Sequence, residues 1–219
     1  MKAHTIERLA RKHLLPVLPG FVARRSLVYR RPVGYFLHGL SFETSSFTSS
    51  RIFVEAFVRP LYEPHDYITY TYGFRLGNDF WDVDEQDPGP TFAAIAEAAR
   101  HDALPFLDQV TNFDEFCELV PKWATAVPRK VMQHNNFDDP VVAEDLGYTE
   151  ILRGNKADGV RLLERVVALE EENGNYSDEQ RICDVEQVLR MLDERGLEAA
   201  QDLLEKWRIR TITALRLEA

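Results

Sequence analysis

Oxygen-bearing side chains crowd one short stretch of the sequence, Asp79, Asp82, Asp84, Glu85 and Asp87. Hard cations need carboxylate ligands at such short spacing. A calcium loop of the EF-hand kind also needs a glycine at its sixth position and a glutamate at its twelfth. Counted from Asp82, those positions hold Asp87 and Ala93. The stretch therefore reads as a solvated acidic loop. Phe80 and Trp81, embedded in it, either pin it to the core or offer a hot spot to a basic partner.

The six histidines are scattered. His38 falls on the aromatic face of an alternating segment, where a hydrogen-bonded core role outranks a ligand role. His65-Asp66 sits in a turn. His134-Asn-Asn-Phe-Asp-Asp139 has metal-capable side chains without any zinc spacing. Ser45, Ser46, Ser49 and Ser50 belong to a polar loop. The motifs that mark nucleophile elbows, phosphate loops, zinc proteases or dinucleotide sites are all absent. The sequence thus assigns no catalytic residue, no cofactor and no metal, and an enzyme is disfavoured without being excluded.

The arginines are the second chemical theme. Through Leu76 there are eleven Lys and Arg against five acids, +6, which leaves −16 for the rest of a chain whose formal charge is −10. Either the two halves attract each other, or each offers a surface to a partner of opposite charge. Arg24, Arg25, Arg30 and Arg31, with Arg51, Arg59 and Arg75, could line one sheet face among aromatics, as in base-stacking platforms. The consensus of an RNA-reading sheet is missing, so nucleic acid is disfavoured. Arg51, Arg59, Arg75, Trp81, Asp82, Asp84 and Glu85 stand as the candidate interaction or interdomain residues.

These groups need elements to position them. The stretch Arg51–Leu76 reads as two strands about a Pro-containing connection. Ile52, Val54, Ala56 and Val58 share one face, with Arg51, Phe53, Glu55, Phe57 and Arg59 on the other. In the second strand Ile68, Tyr70, Tyr72, Phe74 and Leu76 alternate with polar residues. Ahead of this pair come a helix from Thr5 to about Leu15, a strand over Phe21–Arg31 and another over Val33–Glu43. An antiparallel meander of about four strands is the natural topology. Beyond Gly77 the period changes from that of strands to that of helices. Thr91 can cap one helix, and Asn112 to Glu115 reads as a capping box for the next. Asp139-Pro140 opens a helical tail in which Ser177 to Gln180 forms another box. Gly154 and Gly196 take equivalent places in two helical hairpins at an offset of about 41–42 residues. The expected architecture is α+β. A sheet region with covering helices spans 1–125, and stacked helical hairpins over 139–219 pack on it. Cys117 and Cys183 fall at apolar helical positions and are expected to be buried free thiols. That usage, a charged N-terminus and the lack of any long apolar run lead to the expectation of a cytoplasmic protein with no membrane segment.

The N-terminal helix, then PGFVARRSLVYRR, then an aromatic meander carrying FVRPLY and YGFRLG, resembles uncharacterised bacterial families known only as domains of unknown function. The resemblance covers roughly residues 1–125, and some relatives sit near toxin and immunity genes. It implies no catalytic residue. Two functions follow as expectations. One is a cytoplasmic bacterial protein that binds another protein, as an immunity or toxin-neutralising protein would. The other is an enzyme or small-ligand binder whose pocket lies between sheet and helices.

Overall fold

The computed structural model describes residues 1–217 apart from 46–47, 49, 78–79, 85, 127–138 and 175–177, with the side chains of 124–126 also left aside. Asp79, Glu85 and His134 therefore lie outside the described residues. The fold is α+β, with an N-terminal helix, an antiparallel sheet and then helices. Helix α1 spans Ala3–His13, followed by β1 (Phe21–Arg24), β2 (Leu27–Arg30), β3 (Phe36–Thr44), β4 (Arg51–Pro60), β5 (Tyr72–Arg75) and β6 (Trp81–Asp82). Strands β1 to β5 follow one another in sheet order, every pair antiparallel, and β6 pairs with β4 beside β5.

Two expected strands are redrawn. Phe21–Arg31 is a hairpin, because Arg24 pairs with Leu27 and leaves Arg25-Ser26 as its two-residue turn. Arg25 takes φ 55°, the left-handed value a tight hairpin turn demands and glycine normally supplies. The strand expected from Tyr67 begins only at Tyr72. Ile68 and Tyr70 instead fold over the other face of the sheet, where Tyr70 meets Phe57 edge-on at 5.3 Å and its hydroxyl bonds Ser41 at 2.7 Å.

The alternation in β3 and β4 divides the sheet as expected. Phe36, Leu40, Phe42, Ile52, Val54, Ala56 and Val58 enter the main core under the helices. Tyr29, Leu37 and Phe57 face the second side, covered by residues 61–70 and by Ile212, Leu215 and Leu217 at the end of the chain. Gly39 and Gly73 permit close approach there. A Cβ at Gly73 would lie 2.7 Å from the carbonyl oxygen of Ala56.

Helix α2 (Gly89–Ala98) runs through a π-helical turn, Ala99–Ala103, into α3 (Leu104–Leu107), and α4 spans Phe113–Ala126. Thr91 does not cap α2. That helix already begins at Gly89, and the Thr91 hydroxyl donates to the carbonyl of Asp82 at 2.9 Å. The tail holds α5 (Pro140–Arg153), α6 (Lys156–Asn173), α7 (Glu179–Glu194) and α8 (Leu197–Ala214). Asp139 caps α5 by accepting from Val141 N at 2.9 Å, and Pro140 takes the first helical position. Asp178 caps α7 by accepting from Arg181 N, and Ser177, the first residue of the expected box, lies outside the described residues. The two hinge glycines are both left-handed, Gly154 at φ 92° and Gly196 at φ 87°.

Helix α5 is enclosed from Val142 to Thr149 without interruption, which makes it the central element of the tail. It presses on α6 through Gly147 and Gly159, where a Cβ would meet Leu163 at 2.7 Å and Ile151 at 2.4 Å. Trp123 closes the aromatic core, 5.3 Å from Phe106 and 6.1 Å from Tyr72. Cys117 is half-buried, but Cys183 is exposed because it falls on the outer side of α7. Among the described residues no helix is long and apolar enough to cross a membrane.

Candidate functional site

Between β2–β3 and the start of α4 lies a cleft of about 410 Å³, lined by Arg30, Pro32, Gly34, Tyr35, Phe36, His38, Thr111, Asn112 and Phe113. Pro32 and Gly34 turn the chain out of β2, so that Tyr35 and Phe36 enter β3 at the mouth. Phe36 is buried, its ring 4.9 Å from Phe116 and 5.8 Å from Phe113. Tyr35, 36% exposed, is held from two sides. Phe113 lies 4.7 Å away on one, and the Arg208 guanidinium of α8 sits 5.0 Å from its ring on the other. Arg208 also donates to the carbonyl of Gly34 at 3.2 Å and to Glu205 at 2.6 Å. The tail thereby fixes one wall of the cleft.

The polar groups are few and oriented. His38 Nε2 lies 2.5 Å from the carbonyl oxygen of Val110. A carbonyl only accepts, so Nε2 carries the proton and Nδ1 is the accepting nitrogen. Burial holds the His38 pKa below the usual histidine range, and the nearby Arg30 charge adds to this, while the bond to Val110 and Asp108 oppose it. His38 is therefore a neutral acceptor. Arg30 pairs with Asp108 and stands 5.1 Å from the Phe21 ring. Asn112 caps α4, its Oδ1 accepting from Glu115 N at 2.9 Å. The Glu115 carboxylate accepts from the backbone and hydroxyl of Thr111 at 2.6 and 2.7 Å, one residue earlier than a capping box requires. These bonds hold the cleft wall and lower the Glu115 pKa. The one lining hydroxyl bonded to a carboxylate, that of Thr111 to Glu115, serves the cap of α4. The cleft can stack a ring, accept a hydrogen bond and face an anion with a cation.

The candidate residues of the sequence meet partly. Arg51 pairs with Asp82 at 2.9 Å because β6 docks beside it, and the Phe80 ring lies 4.0 Å under its guanidinium. Trp81 is half-buried against Gly77 and donates Nε1 to the carbonyl of Leu76 at 2.9 Å. Arg75 pairs with Glu55 at 3.4 Å and stands 4.4 Å over the Phe53 ring. Asp84 is exposed and accepts from Gln86 N. Among the described residues no cluster of metal-ligating side chains forms.

Arg59, one of the candidate interaction or interdomain residues, lies inside the molecule. It is 1% exposed, donates to the carbonyl of Tyr67, and leaves Nε and Nη2 buried with no hydrogen-bond partner. Around it lies a buried polar network. Tyr72 donates to Asp145 at 2.7 Å, Tyr62 and Thr149 share a bond at 2.5 Å, and Thr211 donates to the carbonyl of Glu63 at 2.5 Å. Arg181 holds Glu144 at 2.9 Å and Glu170 at 2.5 Å. Burial first, then the neighbouring Glu63, drive Asp145 well above the carboxylate range, and the same two causes push Glu144 up to about 8. This network ties sheet to tail and lies closed to solvent. Comparisons with protein-family models, with curated proteins and with solved structures return no match.

Proposed function

We propose that the protein binds a small ligand in the cleft between sheet and helices, and that the ligand is a flat aromatic molecule bearing a carboxylate. One observation carries this reading. Three aromatic walls, Tyr35, Phe36 and Phe113, surround a neutral accepting histidine and an arginine in a space of about 410 Å³. That is the composition and the size of small-molecule sites, which are mostly apolar with a few convergent polar groups. The test is calorimetry and an amide correlation spectrum with 4-hydroxybenzoate on wild type and on Gly34→Phe. A Cβ at Gly34 meets nothing within 4 Å, so the new side chain fits the backbone and obstructs the cleft. Saturable binding with shifts at 34–38 and 111–113, lost in Gly34→Phe, is expected. Equal binding by both proteins, or none by wild type up to about 10 mM, contradicts the reading.

A second reading, binding of another protein, is favoured by the paired guanidinium–aromatic contacts of Arg51 with Phe80 and Arg75 with Phe53. Arginine and aromatic residues are enriched at interface hot spots, and Phe80 is 37% exposed. Its test compares pull-downs from the native host by wild type and by Phe80→Asp. A partner retained equally by both removes this surface from consideration.

A further inference from the structure

The buried polar network and the aromatic cleft meet at residues 61–63. We infer that the network is a proton switch on the cleft: when the Asp145 carboxyl gives up its proton, the 61–63 segment shifts, the aromatic walls follow, and the cleft holds a ring less tightly. The consequence for a ligand rests on the reading of the cleft as a binding site, whereas the movement of the walls does not.

Each aromatic wall leans on that segment. The Leu61 N–H donates to the carbonyl of Tyr35 at 2.9 Å. The Tyr62 ring lies 6.2 Å from Phe36 and 6.3 Å from Phe113, edge-on to both. Thr211 donates to the carbonyl of Glu63 at 2.5 Å, about one helical turn beyond Arg208, whose guanidinium holds Tyr35 and Gly34. The same segment is tied to α5. Thr149 gives its one hydroxyl proton to the carbonyl of Asp145 at 2.6 Å, so Tyr62 is the donor in its 2.5 Å bond to Thr149. Behind Phe36, the Phe116 ring lies 5.1 Å from that of Tyr72, whose hydroxyl donates to Asp145 at 2.7 Å.

Asp145 is the group whose charge this packing holds poorly. It is 1% exposed, its Oδ2 accepts from Tyr72, and its Oδ1 is enclosed with no hydrogen-bond partner. A carboxylate so placed lacks the bonds an ion needs once it leaves water. Burial first, and then Glu63, favour its protonated form. Charged and titratable groups reach it from several elements. Arg59 of β4 faces both Asp145 and Glu63, while Tyr62 and Tyr72 approach from the 61–71 segment and β5. On α5 itself the neighbour is Glu144, held by Arg181 of α7, which also holds Glu170 of α6. Tyr148 and Asp184 lie beyond Glu144, and Cys117 of α4 borders Tyr62. His65 Nε2 stands 3.9 Å from the Glu63 carboxylate. Once ionised, Asp145 repels Glu63 in a medium that screens little. The part that yields is the 61–63 segment, which belongs to no helix or strand.

The test follows the ligand-free full chain by NMR from about pH 7 to about pH 9.5, a range above the ordinary histidine value. It reads the Asp145 carboxyl carbon and the amides of Tyr35, Phe36 and Phe113. All four should share one midpoint in wild type. The amides should stay flat in Asp145→Asn, which keeps an acceptor for Tyr72. His65→Gln should leave the shared midpoint in place. Tyr72→Phe is the second variant, for use if Asp145→Asn does not fold. It retains the ring against Phe116 and removes a hydroxyl that favours the ionised form, so all four midpoints should move to higher pH together. In wild type the Kd of 4-hydroxybenzoate should rise at least about fivefold between about pH 7 and about pH 8.5, with no rise in Asp145→Asn. If 4-hydroxybenzoate fails to bind at either pH while the amides track Asp145, the ligand reading falls and the switch stands. Amides that stay still while Asp145 titrates, amides that titrate equally in Asp145→Asn, an Asp145 carboxyl that keeps its proton throughout, or binding whose Kd ignores pH overturns the inference.

Discussion

Two arginines of similar sequence setting have opposite fates, and their neighbours explain why. Arg59 points inward because the 61–71 segment crosses over it and supplies the carbonyl of Tyr67. Arg75 lies at an exposed strand end beside Glu55, itself raised by burial and by Glu43. Arg59→Met should therefore destabilise by about 3–5 kcal/mol, since the buried Glu63 carboxylate loses its neighbouring cation. Arg75→Ala should cost about 0–1 kcal/mol. Urea unfolding of both checks this, and equal effects would refute the placement of Arg59. Asp145 and Glu144 give a pH signature. Their folded pKa values are raised, so the folded state holds protons that the unfolded chain releases above about pH 4. Stability from these groups is full below that pH and is lost as pH rises toward the folded values, through about 8 for Glu144. Asp145→Asn keeps an acceptor for Tyr72 and removes the titration. Its loss of stability between pH 5.5 and 8 should be smaller than that of wild type by at least about 1 kcal/mol. Parallel stability–pH curves would contradict a protonated Asp145. None of this was legible in the sequence, where Glu144-Asp145 look like solvent-facing acids. The one signal was their position between Val141-Val142-Ala143 and Leu146-Gly147-Tyr148, apolar on both sides.

Elements were more legible than their ends. The alternation of β4 and the caps at Asn112 and Asp139 stand where period and capping chemistry put them. The β1–β2 turn escaped because Arg25-Ser26 carries none of the Gly, Asn or Asp signals of a two-residue hairpin. The aromatic run Tyr67–Tyr72 misled for a different reason. Alternation says that a segment is half-buried, and Ile68 and Tyr70 are half-buried against the second face instead of in the ladder. Glycine placement offers a test at this scale. Gly73→Ala would bring a methyl within 2.7 Å of a backbone oxygen, in a strand ladder that cannot yield. A loss of roughly 1–3 kcal/mol is expected from such overpacking. A neutral Gly73→Ala in thermal unfolding would show that β5 is looser than its pairing with β4 implies.

For the whole molecule, the charge split resolves in both directions. Arg30 and Arg51 find carboxylates at Asp108 and Asp82, beyond the change of sign near Gly77, whereas Arg11 and Arg75 are matched within their own half. Long-range packing also builds the aromatic cleft. Its walls come from 30–38 and 111–113, and α8 braces Tyr35 from the far end of the chain. No local motif could announce residues so far apart, although an aromatic pair after Pro32-Gly34 and the Asn112 cap were both visible separately. The most direct measurement of the ligand-binding account is the nitrogen spectrum of histidine-labelled protein with and without 4-hydroxybenzoate. His38 should show a protonated Nε2 and an unprotonated Nδ1 at pH 7, and the Nδ1 resonance should move on saturation as it accepts a hydrogen bond. If His38 is an imidazolium at that pH, or if neither of its nitrogens responds while the ligand binds, the cleft is not the site.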